Sequence, residues 1–285
     1  AAVFTYIAKK LFEIGKAAFD LTNELGLSYS QTVQIGVEMT KLTAQAKMYG
    51  GDVEDSKAIL AELYADSAGL AQNTMAAQQD AMRLSLGYGL GAANANKFNK
   101  VIMEMAGNSQ DVRDELEDSV VAFARMYKIA PHELMDEVAE NADLFYGRTE
   151  DAKKELIAAT VAAKKLGAEL NQVMGWMSDT RDFQSSMNKQ AQAQIYLQQQ
   201  INMGAIRLAA ENDNALGYLQ AITAETERLG GLESMNIRQK EKLSDLFGME
   251  VTDLAKIQAN YDALIAQGVD LNDITIEQLN NLKQK

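Results

Sequence analysis

The chain has 285 residues, no cysteine, one proline and a formal net charge of −13. The missing cysteine excludes disulfides and thiolate chemistry, and an acidic balance without a basic run argues against nucleic-acid binding. Proline normally makes up about 5% of a soluble protein. Since loops and edge strands are where it usually stands, a single proline predicts an all-α fold. We expect an array of helical hairpins with short glycine-containing connections and at least one long coiled-coil-like helix.

Residues 1–86 form the predicted N-terminal helical region. Its opening segment, AAVFTYIAKKLFEIGKAAFDL, mixes apolar residues with lysines and acids at helical spacing, which indicates an amphipathic helix and not a signal peptide. The chain begins without Met and in the middle of this pattern, so we expect a processed product or a piece of something longer. Gly26, and Ser28 with Gln31, predict the start of a second helix. The buried face of that helix is predicted to be Val33, Val37, Thr40 and Ala44.

Residues 87–97 form a predicted glycine- and asparagine-rich hinge. Gly87, Gly89 and Gly91 fall within five residues, and glycine has little preference for helix. The run GYGLG does not match a phosphate-binding loop, because such loops follow a strand and none is predicted here. We expect a boundary between the N-terminal region and a helical hairpin region, residues 98–182.

The hairpin region contains the only proline and the only histidine, Pro131 and His132, side by side. Pro131 fits the first position of a helix, where a missing N–H costs nothing. Helical spacing predicts one buried stripe on this helix, made of Leu134, Val138, Ala142 and Phe145. His132 begins HELMD and not HExxH, and one histidine is too few for a zinc or di-iron site. No metal and no cofactor are expected.

A glutamine-rich region, residues 183–229, is predicted to hold one long helix without a break before Gly204. Its apolar positions form a narrow row interrupted by a glutamine, which is typical of a coiled-coil seam. The predicted interaction residues of this seam are Met187, Ala191, Ile195, Gln198, Ile201 and Leu208. The last region, residues 230–285, is predicted to form C-terminal helical hairpins.

Catalytic patterns are incomplete throughout the chain. Glu233 and Ser234 are similar to the Glu-Ser pair of lytic transglycosylases, but the companion glycine-rich segment is missing downstream. The acidic clusters lack the spacing of an EF-hand. We therefore expect no catalytic residue and no enzymatic activity. The fourteen methionines are expected to fill gaps between helices, with an adaptable binding surface as the alternative.

One short pattern recurs where helices restart. The copies are LGLSYSQT from Leu25, YKIAPHEL from Tyr127, LGAELNQV from Leu166, FGMEVTDL from Phe247 and, more loosely, QGVDLNDI from Gln267. In each copy, a glycine or lysine ends one helix and an apolar residue packs at the turn. An acid or amide then accepts hydrogen bonds from free N–H groups of the next helix. The spacing of about forty residues is compatible with an α-solenoid, and a looser array of helical hairpins is the alternative.

With these restarts, its Ala-, Gln- and Met-rich composition and the segment AQAQIYLQQQINMG, the chain resembles bacteriophage tail tape measure proteins. The resemblance implies a helical terminal region or fragment of such a protein. It implies an oligomer, a trimer by resemblance, that packs in the tail tube lumen or baseplate hub, sets tail length and leaves ahead of the DNA. The partners implied are tail tube and baseplate or hub proteins, with a contact to the host envelope on ejection and no direct nucleic-acid binding. The implied location is the virion, after synthesis in the host cytoplasm.

Two other classes of protein remain open from the sequence. One is another helical virion or ejection protein. The other is a helical protein-interaction scaffold in a cell.

Overall fold

A computed structural model describes residues 2–66, 75–107 and 109–282. Helix accounts for 81% of the chain, and no strand occurs within those ranges. The predicted all-α class is confirmed. The chain divides into two compact units, Ala1–Asn108 and Ser109–Lys285, and each is described by itself.

The first unit builds a helical core from its amphipathic helices. Its described α-helices are α1 (Ala2–Glu24), α2 (Tyr29–Ala46), α3 (Val53–Asp66), α4 (Met75–Met82) and α5 (Ala92–Ala106). A 3₁₀ turn at Lys47–Tyr49 follows α2, and a π-helical turn at Arg83–Gly87 follows α4. Helices α1, α2 and α3 pack on one another. Their shared core includes Ile14, Ala18, Leu21, Ile35, Met39, Leu42, Ile59 and Leu60.

The predicted buried face of α2 is wrong. Val33, Val37, Thr40 and Ala44 are all exposed, and the buried side is Ile35, Met39, Leu42 and Ala46. Both rows have helical spacing, so periodicity alone does not choose between them. The neighbouring helices decide. Gly36 faces α1, where a Cβ would make an ordinary contact of 3.9 Å with the Cβ of Ala18, and Thr43 Oγ1 donates to Ser56 Oγ of α3 at 3.1 Å.

The predicted hinge, residues 87–97, lies inside the first unit. Gly89 and Gly91 have φ values of 84° and 75°, but the chain is helical from Ala92 onward. Ala95 and Asn96 are buried there, and Asn96 Nδ2 donates to the Glu62 carbonyl of α3 at 3.4 Å. Packing against α3 therefore outweighs a weak local helical preference. Bending at this segment stays a prediction.

The second unit is arranged around one buried helix. Its described α-helices are α6 (Gln110–Met126), α7 (Pro131–Glu140), α8 (Ala142–Phe145), α9 (Glu150–Leu166), α10 (Leu170–Arg181), α11 (Phe183–Leu197), α12 (Gly204–Glu211), α13 (Ala215–Arg228), α14 (Ile237–Leu246), α15 (Val251–Ala266) and α16 (Ile276–Leu282). Helices α7, α10, α13, α15 and α16 all pack on α9. Every residue of α9 from Leu156 to Ala163 is buried. A helix that is apolar on all sides fits this central position.

The recurring sequence pattern corresponds to one recurring backbone geometry. At each copy, one residue with positive φ ends the helix, with values of 65° at Gly26, 55° at Lys128, 76° at Gly167, 72° at Gly248 and 73° at Gly268. The next residue donates its N–H to a carbonyl five positions earlier, in the bonds Leu27 to Thr22 (2.9 Å), Ile129 to Ala124 (2.9 Å), Ala168 to Ala163 (2.8 Å), Met249 to Ser244 (3.0 Å) and Val269 to Leu264 (3.0 Å). This is the Schellman arrangement, which satisfies carbonyls left free at a helix end. We call these five places the Schellman joints.

The start of the following helix is also similar at two of the joints. Gln31 Oε1 accepts from the Ser28 N–H at 2.8 Å, and Gln172 Oε1 accepts from the Glu169 N–H at 3.0 Å. Pro131 occupies the first turn of α7. The stripe predicted behind it is confirmed as buried: Leu134, Val138, Ala142 and Phe145.

Candidate interaction surface

Helix α11 lies at the surface of the second unit and is held by two neighbours. Arg207 of α12 donates to Ser186 Oγ at 3.0 Å and to Gln190 Oε1 at 2.8 Å. Its guanidinium also lies 5.6 Å from the ring centroid of Phe183. Burial in this contact lowers the pKa of Arg207. These contacts position one flank of α11 against α12.

The opposite flank of α11 packs against α14. Lys189 pairs with Asp245 at 3.3 Å, and Lys242 donates to Gln192 Oε1 at 3.1 Å. Gln239 Nε2 donates to the Tyr196 carbonyl at 3.1 Å. With both flanks fixed, the third side of α11 is left at the surface with a defined orientation.

That third side carries an apolar row without charge. Its four members are spaced four residues apart, and we call them the α11 outer face: Phe183, Met187, Ala191 and Ile195. All four are exposed, with 74% of Ile195 and 43% of Met187 accessible. Single exposed apolar residues are ordinary on a protein surface, and a continuous row on one helix is a candidate for an interaction site.

The prediction of one helix continuing toward Leu208 is wrong. Helix α11 ends at Leu197, and Gln198 adopts a left-handed conformation with φ 55°. The chain then turns inward, so that Ile201 is 3% exposed and Met203 is also buried. Burial of two large apolar side chains stabilises by several kcal/mol, which exceeds the cost of about 1–2 kcal/mol for a non-glycine residue in this conformation.

Glutamine side chains replace the hydrogen bonds that the helix gives up. Gln190 Nε2 donates to the Ile201 carbonyl at 2.7 Å, and Gln194 Oε1 accepts from the Ile201 N–H at 3.0 Å. Glu225 Oε1 accepts from the Asn202 N–H at 2.6 Å. The turn is therefore fixed by side chains of α11 and α13.

A shallow depression lies at the carboxyl end of the α11 outer face. Its volume is about 470 Å³, and it is lined by Ala191, Gln194, Ile195, Gln198, Gln199 and Gln200. The lining contains apolar and amide groups and no charge. It is suited to receiving an apolar side chain beside an amide, which is what a helix of similar composition would present.

The six predicted seam residues are thus divided by the fold. Met187, Ala191 and Ile195 share the outer face, and Gln198 lies exposed at its end. Ile201 is in the core, and Leu208 is exposed on a different helix, α12. Phe183 belongs to the face and was missed, although its position four residues before Met187 was the available signal.

The other candidate residues lie exposed at the surface. His132 is exposed in the first turn of α7, and Glu233 and Ser234 are exposed in a 3₁₀ turn. Ser234 Oγ donates to the Gly231 carbonyl at 2.9 Å. Within the described ranges, no group of three or more His, Cys, Asp or Glu residues is arranged to hold a metal ion.

Two further findings concern the chain as a whole. None of the helices in the described residues has both the length and the apolar content that crossing a membrane would need. No family model, curated protein or solved structure matches the chain.

Proposed function

We propose that this chain is a structural protein of a phage tail, similar to tape measure proteins. In this role it packs as an oligomer, a trimer by resemblance, within the tail tube or baseplate hub. It sets tail length and is released ahead of the DNA. The oligomer includes helical hairpins linked by glycine-containing turns and paired helices of the coiled-coil type.

The observation that carries the proposal is the α11 outer face. In a chain with net charge −13, copies repel one another wherever acidic surfaces meet. The row from Phe183 to Ile195 contains no charged residue of its own, with Arg207 beside Phe183 at one end, on a helix that α12 and α14 hold in place. Such a face favours contact with a second helix of the same kind, because apolar burial is gained and no carboxylate is desolvated.

The Schellman joints support a mechanical role. Each one changes the chain direction within a few residues and leaves few carbonyls unsatisfied. A long helical chain that must pass through a narrow tube needs short connections of this kind. No catalytic step is required of any residue, and every named contact acts by packing.

The first experiment measures self-association of the purified chain by sedimentation equilibrium, from low to high micromolar concentration. We expect an oligomer that Ile195→Glu dissociates, because a carboxylate would then be buried against an apolar partner. Ile265→Glu is the matched control, since Ile265 is 46% exposed on α15 and lies outside the face. A strictly monomeric wild-type chain would remove the basis of the proposal.

The second experiment addresses the tail itself. Intact particles that contain this chain would be imaged, and its copy number would be measured relative to the tail tube protein. We expect density inside the tube or hub. Density elsewhere in the virion, or a chain that binds no tail tip or hub component, would favour the other helical virion protein or the cellular scaffold.

A further inference from the structure

The outer side of the α1–α2 hairpin carries a second apolar surface, in the first unit. On α1, Ala8, Phe12, Gly15 and Phe19 follow one another at spacings of four, three and four residues. On α2, Val33, Val37, Thr40 and Ala44 repeat the same spacings. All eight residues are exposed and none is charged. We call these eight residues the hairpin outer face.

The two rows lie on the same side of the hairpin. Residues Ala18 of α1 and Gly36 of α2 face each other where the antiparallel helices touch. The core faces of both helices point to α3, as Leu21 and Met39 show by their complete burial. With 100° of rotation per residue, each outer row lies roughly opposite the core face of its own helix. The rows therefore form one continuous surface.

The exposure of this surface is large. Phe12 is 74% exposed, Val33 60%, Leu11 at its edge 56%, Phe19 54% and Val37 52%. With aromatic side chains presenting about 150–250 Å² when fully accessible, these residues expose on the order of 500 Å² together. That value is at the upper end of the largest apolar patch found on an ordinary monomer.

We propose that a second copy of this chain covers the hairpin outer face, so that two α1–α2 hairpins pack into a four-helix bundle. When fully covered, two such faces bury about 1,000 Å² in total, which is the lower threshold for a specific interface. Both helices are more than four turns long, which suits the lengthwise packing of a bundle. The contact is isologous, so each copy supplies the same residues and copies are joined in pairs, in addition to any trimer contact made through the α11 outer face.

We place the two-fold axis of this pairing at Gly15 of α1. It lies midway between Phe12 and Phe19, and a Cβ built on it would meet no atom within 4 Å. The missing side chain leaves a notch between two exposed rings. Two α1 helices that cross at Gly15 can approach closely, and the rings of one copy then pack beside the notch of the other.

The charges of the hairpin favour a second copy over a lipid surface. Helices α1 and α2 carry four lysines (Lys9, Lys10, Lys16 and Lys41) and four carboxylates (Glu13, Asp20, Glu24 and Glu38), so their net charge is zero. Helices that lie on anionic membranes are instead rich in Lys and Arg on their polar side. A neutral hairpin in a chain of charge −13 meets another neutral hairpin without electrostatic cost.

The test uses the full chain, which has no cysteine of its own. In Gly15→Cys, mild oxidation should cross-link two copies, because cysteines at a two-fold axis reach disulfide distance. Ala58→Cys, at an exposed position on α3, should stay uncross-linked. In sedimentation equilibrium, Phe12→Glu or Val37→Glu should raise the dissociation constant of the hairpin contact at least tenfold, and Ala58→Glu should leave it unchanged.

The outcome is separable from that of the α11 outer face. If Ile195→Glu alone dissociates the chain and the hairpin variants do not, the pairing is overturned while the tail proposal stands. If only the hairpin variants act, the pairing stands without the α11 face. A monomeric chain that pellets with vesicles of anionic lipid would overturn the pairing in favour of a lipid surface.

Discussion

Lys128 is the one non-glycine residue among the five Schellman joints, and it allows a direct test of the joint geometry. Its φ of 55° falls where the other joints have glycine. If the recurring pattern encodes this conformation, Lys128→Gly should stabilise the second unit. The side chain is exposed, so its removal leaves no cavity.

The expected gain is about 0.5–1 kcal/mol. A non-glycine residue in the left-handed region costs roughly 1–2 kcal/mol, and glycine removes this cost. Glycine also raises the entropy of the unfolded chain, which reduces the gain in folding free energy by about 0.4–1 kcal/mol. Lys128 also lies near Lys165, where burial and then the Lys128 charge lower the pKa of Lys165. Lys128→Ala separates backbone strain from repulsion between Lys128 and Lys165, because it removes the charge and keeps a non-glycine residue at a positive φ.

At two other joints, replacing glycine by alanine should destabilise the second unit. Gly268→Ala should destabilise by about 1 kcal/mol or slightly more through backbone strain alone, because its φ is positive and a Cβ there meets no atom within 4 Å. At Gly248 the new Cβ would lie 2.9 Å from the Asp179 Cβ and 3.0 Å from the Trp176 carbonyl oxygen. Overpacking against the α10 backbone adds about 1–3 kcal/mol, so Gly248→Ala should cost clearly more than Gly268→Ala.

The assay is urea unfolding followed by tryptophan fluorescence. Trp176 is the only tryptophan, and it lies in the second unit with all three variant positions. Far-UV circular dichroism, recorded in parallel, reports both units and shows whether they unfold separately. Equal effects of Lys128→Gly and Lys128→Ala would assign the gain to charge and refute the backbone argument. Equal losses at Gly268 and Gly248 would refute the close approach to α10.

Two tyrosines give further predictions. The buried Tyr218 hydroxyl bonds to Thr180 Oγ1 at 2.8 Å and donates to the Phe247 carbonyl at 2.8 Å. Tyr218→Phe should therefore cost about 1–3 kcal/mol in urea unfolding, and an unchanged midpoint would contradict this. Burial raises the pKa of Tyr127 to about 12, so the unfolded chain loses this proton first and stability should fall from roughly pH 10 to pH 12. With allowance for solvent, that loss should be about 1–2 kcal/mol smaller in Tyr127→Phe, and an identical alkaline profile would contradict this.

The Schellman joints could be predicted from sequence because their causes are local. A left-handed residue, an apolar corner and an acid or amide three positions into the next helix all fall within eight residues. Even Lys128 was identified, since Tyr127, Ile129 and Glu133 around it match the template of the other copies. Pro131 at the start of α7 follows from the same local reasoning.

The surfaces of the helices were harder to predict because their causes are distant in sequence. On α2, two apolar rows compete, and the choice depends on where α1 and α3 lie. Ile35 and Met39 are buried because α1 and α3 pack on that side of α2, a fact that no window of α2 residues contains. The row that was expected to be buried is the one that the hairpin leaves exposed.

The end of α11 depends both on local residues and on residues distant in sequence. Gln190 and Gln194 lie one turn apart and read as ordinary helix formers, so the sequence predicts continuation. Their amides instead bind the backbone of Ile201, which the turn at Gln198 brings back toward the helix. The choice depends on a core pocket for Ile201 and Met203 in the second unit, which the local sequence does not reveal. As a result the outer face stops at Ile195, twelve residues after Phe183, and is about 18 Å long. Contact with a partner helix along this face is therefore limited to about 18 Å, and the turn at Gln198 ends any coiled coil along α11.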